Sequence, residues 1–366
     1  MAERKTGLDF LRMFLMVMVA ILHVLTNGGV LASTQWMSGQ YLTAWYLEIL
    51  SFCAVDCFAL ISGYVSSQAK FRWSRVLELW VQIVFYTLLI TILFAVFVPG
   101  SVGELAWFGA IFPITSGQYW FMTAYVGMFF FMPLLNLVLE KASRRMLTEL
   151  MIVLLLFFSF LPCLFAIALK EPPYGLNSGY SMIWLMILYL VGGYIRKYDL
   201  TEKLSRKGAV LLFLGSTTLA WLSKVVIELG TNALLGGPTA GKSFTGYISP
   251  LMVANAIALL CFFARTEFRG KGMRGLIALL SPAALGVYVI HVHPLIWNHL
   301  IWNCAVDFAA QSPVVMVLCV IGLAFGIYLS CSLIDVVRLR LFRACKVPQL
   351  CRKLDGFVAR LPLQEK

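Results

Sequence analysis

Residues 8–25, LDFLRMFLMVMVAILHVL, form an apolar run interrupted by Arg12 and, ten residues further on, by His23. Eleven steps of a helix at about 100° each come to roughly 1100°, three turns plus about 20°, so both side chains leave nearly the same face. At ~1.5 Å per residue they stand ~16 Å apart along the axis. Ionisable groups inside a membrane span are costly and by default mark a functional site. One helix face thus carries a guanidinium near one membrane surface and an imidazole well inside.

The rest of the chain agrees with a membrane setting. Of its 366 residues, 61% are hydrophobic and 13% charged, and mean hydropathy is +0.87. A soluble domain has about half its residues apolar and a quarter charged, so an ordinary soluble protein is excluded. The first apolar run is too long, and too interrupted by Arg12 and His23, for a cleaved signal peptide, and is expected to be retained. Seven of the nine cysteines lie in apolar stretches, where Cys packs as a small hydrophobe, so no disulfide framework is expected. Cys53 and Cys57 share a helix face, but two thiols alone are a poor metal site.

At about 20 residues per span, the apolar runs predict an all-α polytopic protein with ten transmembrane helices. They fall near 7–28, 43–66, 75–98, 118–139, 147–169, 180–196, 207–229, 246–266, 280–303 and 313–337. The run 103–115 is too short to span and reads as interfacial or re-entrant. Lys and Arg accumulate in short cytoplasmic loops. Here they follow every even-numbered span: Lys70, Arg72 and Arg75; Lys141, Arg144 and Arg145; Arg196 to Lys207; Arg265 to Arg274; Arg338 to Lys353. The opposite loops hold Lys170 and Lys242. Both termini are therefore expected in the cytoplasm, and the net charge of +12 is explained by topology without a nucleic-acid partner. The division expected is a transmembrane domain, 1–337, and a basic tail, 338–366, either solvated or lying on the inner surface as an amphipathic helix.

Three further groups could carry chemistry. A neutral His23 can take a proton from an alcohol at ordinary pH, or can simply be a packing hydrogen-bond donor. Asp56 lies mid-span and needs a partner; it either pairs with Arg12 structurally or fixes the tautomer of His23 as the carboxylate of a triad does. Arg72 and Arg75 face one way at the start of the third span. There guanidinium forks and helix N–H groups suit a phosphate, although an ordinary basic loop has the same spacing. Residues 236–243, GGPTAGKS, fit the P-loop pattern, but that motif needs a preceding strand. Here a membrane helix precedes it, so the stretch reads as a flexible outer loop.

Gly7-Leu8-Asp9-Phe10-Leu11-Arg12 followed by His23 resembles the opening of the membrane-bound acyltransferase-3 family. Val55-Asp56-Cys57-Phe58-Ala59-Leu60-Ile61-Ser62-Gly63-Tyr64 is similar to its VDxFFxxSGF segment, and Arg72-Trp73-Ser74-Arg75 to its Arg-x-x-Arg motif. Tyr119-Trp120-Phe121, before a span ending Met132-Pro133-Leu134-Leu135, and Gly286-Val287-Tyr288-Val289-Ile290-His291 are also like the family. Departures are Ala59-Leu60, where aromatic residues are usual, and the extra His293 before Pro294.

The resemblance implies a multi-pass enzyme of the bacterial cytoplasmic membrane. It would move an acyl group, usually acetyl, from cytoplasmic acyl-coenzyme A to a hydroxyl on an outer acceptor, a cell-surface glycan or a small molecule, without a metal. The expected mechanism has Arg12, Arg72 and Arg75 gripping the donor's phosphates and His23, oriented by Asp56, at the reaction centre. Ser62, Gly63, Trp120, Tyr288 and His291 are further motif positions. His291 and His293, two apart on a helix, point different ways. The rivals are a transporter or flippase for a polysaccharide or lipid-linked precursor, with the same charges along its path, and a sensor like the membrane half of some serine racemases. No attached racemase or esterase-like domain is expected.

Overall fold

A computed structural model describes residues 5–166 and 174–358, and among these every regular element is helical. Lys170 and residues 359–366 of the tail lie outside the described residues. The helices that position the site are α1 (Thr6–Thr26), α2 (Gly39–Phe52), α3 (Ala54–Ser66), α4 (Ser74–Phe97), α5 (Glu104–Ile111) and α6 (Trp120–Lys141). They continue with α7 (Arg144–Leu155), α8 (Met182–Lys197), α9 (Arg206–Leu235), α10 (Pro250–Ala264), α11 (Lys271–Leu280), α12 (Ala284–His291), α13 (Pro313–Ala344) and α14 (Val347–Val358).

Among the described residues, eight helical segments are long and apolar enough to cross a membrane. The difference from ten lies in the expected sixth and eighth spans. They are realised as α8, of 16 residues, and α10, of 15 residues, each shorter than a full span of about 20. The expected ninth span, 280–303, is displaced. The long apolar segment is instead Lys271–His291, combining α11 and α12. The chain breaks at His293-Pro294, where proline cannot donate to the preceding turn. The 103–115 run is an eight-residue helix, α5, packed on α4.

α1 is the axis of the bundle. In the segment Thr6–Ser33, 72% of the most apolar window is buried inside the protein, against 22% for α9, which is therefore peripheral. α1 packs against α2, α3, α10, α12 and α13, burying Leu11, Leu15, Met18, Leu22 and Leu25. With no hydrophobic drive between helices in lipid, close backbone approach is what holds such neighbours together. The α3–α8 crossing shows it. A Cβ on Gly63 would strike the Tyr189 carbonyl, and one on Gly192 the Leu60 carbonyl.

The α2–α3 span is broken at Cys53, and the break turns Asp56 toward α8. The basic segments cluster at one end of the bundle, hereafter the basic end. There α13 runs past its apolar part through Arg338 and Arg343, and α14 folds back to pack on α4 and α13.

Candidate functional site

Arg12 and His23 line one cavity of about 310 Å³, Arg12 toward the basic end and His23 about three turns deeper. Its walls come from α1, α3, α4, α6 and α12, and include Phe58, Ser62, Trp120, Tyr125 and Tyr288. Four of the five remaining motif positions thus meet at one place: Ser62, Trp120 and Tyr288 in the wall, and His291 directly behind His23. The fifth, Gly63, sits at the α3–α8 crossing and keeps Ser62 in position.

The imidazoles settle their own tautomers. His291 Nδ1 lies 2.6 Å from the Val287 carbonyl, which can only accept, so neutral His291 carries its proton on Nδ1 and presents a bare Nε2. His23 Nδ1 lies 2.9 Å from that Nε2 and must be the donor. His23 Nε2 is left unprotonated on a residue that faces the cavity. Trp297 packs edge-on against the His23 ring, 4.8 Å between centroids, and restricts its rotation. Tyr119 donates to the Val289 carbonyl at 3.0 Å and ties the start of α6 to α12, the two helices that bring Trp120 and Tyr288 to the cavity. The Tyr288 hydroxyl is buried in the wall beside the Phe121 backbone and meets no other side chain's donor or acceptor.

The structure gives Asp56 a different neighbour from the one expected. Its carboxylate accepts from Trp184 Nε1 at 3.0 Å, and its second oxygen is buried without a partner. Neither His23 nor Arg12 reaches it: His23 is oriented by His291, and Arg12 pairs with Asp9 one turn away at 2.8 Å. His293 caps the helical turn that follows it, accepting from Leu295 N–H at 3.2 Å.

Of the Arg-x-x-Arg pair, Arg75 lines a second cavity of about 400 Å³ at the basic end, together with Arg338 and Arg343 of α13. This vestibule shares Ser66, Leu79, Tyr125 and Pro282 with the His23 cavity. Arg72 is not among its lining residues. The expectation that helix N–H groups at the start of α4 stand ready for a phosphate is also changed, because Asp355 already accepts from Ser74 N–H there, at 2.8 Å.

Three polar networks escaped the sequence reading. Asp335, fully buried, is held by Arg338 through Nε at 3.0 Å and Nη2 at 2.7 Å, and by the Tyr86 hydroxyl at 2.7 Å. On the opposite side Lys224 pairs with Glu228, which accepts from the Tyr41 hydroxyl at 2.6 Å. Lys224 also stands 3.7 Å from the ring centroid of Trp45. Both pairs have ionisable residues three or four apart inside apolar runs, the signal that marked Arg12. The third network, through Asp355, had no local signal. The GGPTAGKS stretch has no strand before it: Gly236 ends α9 in the left-handed region at φ 75°, and Thr239 returns to hydrogen-bond Thr231.

No curated protein and no solved structure matches the chain. A family model described as an acyltransferase domain does, over residues 5–333. That match takes in α1 with its Arg12–His23 face, α3, α6, α12 and most of α13, and so the chain belongs to the acyltransferase-3 family, as a helical membrane acyltransferase.

Proposed function

We propose that this protein moves an acetyl group from acetyl-coenzyme A at its basic, cytoplasmic end to a hydroxyl of a glycan beyond the outer face of a bacterial cytoplasmic membrane. The observation that carries the proposal is the continuous relation between the two cavities. Arginines line the vestibule, the deeper cavity shares four wall residues with it, and an imidazole with a free Nε2 stands at depth.

The residues fit a donor of that shape. Arg75 and Arg343, with Arg12 further in, offer guanidinium forks to phosphates at the basic end, so the charged nucleotide stays out of hydrocarbon. The ~16 Å between Arg12 and His23 suits a long, thin thioester arm. Phe58, Phe121 and Leu285 provide apolar walls along it.

At its tip, His23 Nε2 takes the proton of the acceptor hydroxyl while the oxygen bonds to the thioester carbonyl carbon. The carbon–sulfur bond breaks, and the same imidazole returns the proton to the departing thiolate. His291 shares the transient charge through the 2.9 Å contact. Tyr288, whose hydroxyl is buried in the wall with its proton not taken up by another side chain, donates to the carbonyl oxygen as negative charge develops there.

Purified protein in liposomes tests this. Acetyl-coenzyme A and an oligosaccharide acceptor are expected to give free coenzyme A and acetylated sugar in equal amounts. Translocation of the sugar unchanged, with no thiol release, would instead mark a transporter. Mass spectrometry of surface glycans with and without the protein then identifies the acceptor.

A further inference from the structure

α14 is joined to the start of α4 by a clasp across 281 residues of sequence. Asp355 accepts from the backbone N–H of Ser74 at 2.8 Å through one carboxylate oxygen and from the Ser74 hydroxyl at 2.6 Å through the other. Ser74 is buried, 1% exposed, and Asp355 reaches it from a half-buried position at the protein surface. Desolvation pushes the Asp355 carboxyl up, but the Ser74 hydroxyl and amide and the Arg72 guanidinium outweigh it and hold the group below its ordinary range. A carboxylate at a helix N-terminus satisfies an orphan donor and meets the positive end of the dipole.

The clasp fixes more than the helix end. At the other end of α14, Val347 and Pro348 line the vestibule opposite Arg75, beside Arg343. Leu350 and Phe357, seven apart and so on one face, are exposed at the basic end, while Cys351 is buried against the bundle. α14 therefore has one face on the protein and a second apolar stripe for the membrane surface.

We propose that α14 is the floor of the donor vestibule and that Asp355 is a positioning residue for it, locking the Arg72–Arg75 turn and the tail into one donor-binding frame. Arg72 then serves the frame through its positive charge near Asp355, and Arg75 meets the donor. This inference rests on the donor reading proposed above.

The test is Asp355→Asn and Ser74→Ala in the full-length protein in lipid nanodiscs, with coenzyme A itself as the binding probe and thiol release as the kinetic one. Asp355→Asn is expected to weaken coenzyme A binding and raise KM for acetyl-coenzyme A about tenfold, and Ser74→Ala, which keeps the backbone N–H bond, by a smaller factor, with kcat at saturation unchanged in both. Charge-assisted hydrogen bonds of this kind are worth about one such factor. The double variant is expected to lose less than the product of the two single losses, because both disturb the hydroxyl contact, while the Ser74 N–H bond survives Ser74→Ala.

A lowered kcat with unchanged KM, or unchanged coenzyme A affinity in a variant that melts like the parent, overturns the inference. Failure of the unsubstituted protein to bind coenzyme A would instead remove the donor reading. Should Asp355→Asn not fold, Ser74→Ala reads out the hydroxyl part of the contact.

Discussion

Replacing His291 by Ala removes the acceptor that holds the His23 Nδ1 proton, 2.9 Å away. Two losses follow. A buried donor is left unsatisfied, at about 1–3 kcal/mol, and His23 becomes free to carry its proton on Nε2, where it is no longer a base. At about 1.4 kcal/mol per tenfold in rate, kcat is expected to fall about 5- to 150-fold, with KM for acetyl-coenzyme A unchanged because His291 lies behind His23 and outside the cavity wall. His23→Ala removes the proposed base and is expected to cost roughly 10²–10⁴. The double variant should be no slower than His23→Ala alone, since His291 acts only through His23. Thiol release by protein in nanodiscs, followed from the first turnover, measures all three. A His291→Ala enzyme within twofold of the parent, or losses that multiply in the double variant, would refute the tautomer argument.

Other substitutions separate structural from chemical roles. Asp56→Asn keeps an oxygen for Trp184 Nε1 and is expected to retain kcat within about threefold; a collapse in a well-folded variant would return Asp56 to the chemistry. Asp335→Ala strands Arg338, only 7% exposed, and should destabilise the protein by about 3–5 kcal/mol. Asp335→Ala with Arg338→Met should recover most of that loss in a thermal melt in detergent. Gly63→Ala forces a methyl into the Tyr189 carbonyl and is expected to lower the melting temperature. An unchanged melt would show that the α3–α8 crossing has slack.

Much of this site is legible in the first helix, because period and charge are local properties. Arg12 and His23 had to share a face once their stretch was helical, and the cavity connects them. Asp56 was legible only as a buried acid. Its partner depends on how the break at Cys53 rotates α3, a matter of three-dimensional packing, and Trp184 lies 128 residues away. The His23–His291 contact spans 268 residues; the motif containing His291 could be recognised, but not the carbonyl of Val287 that dictates its tautomer. The span boundaries were least legible where proline and short apolar runs coincide, at 280–303. There hydropathy alone cannot tell one continuous helix from two broken ones. Asp335–Arg338 and Lys224–Glu228 could have been found by applying to every span the rule that singled out Arg12.

The proposed function requires His23 to act on the acyl group brought from the basic end. The direct measurement is His23→Gln in nanodiscs, with coenzyme A affinity and acetyl transfer determined on the same preparation. Unchanged affinity with transfer reduced at least a hundredfold is the predicted result. Transfer at the parent rate, with binding intact, would contradict it.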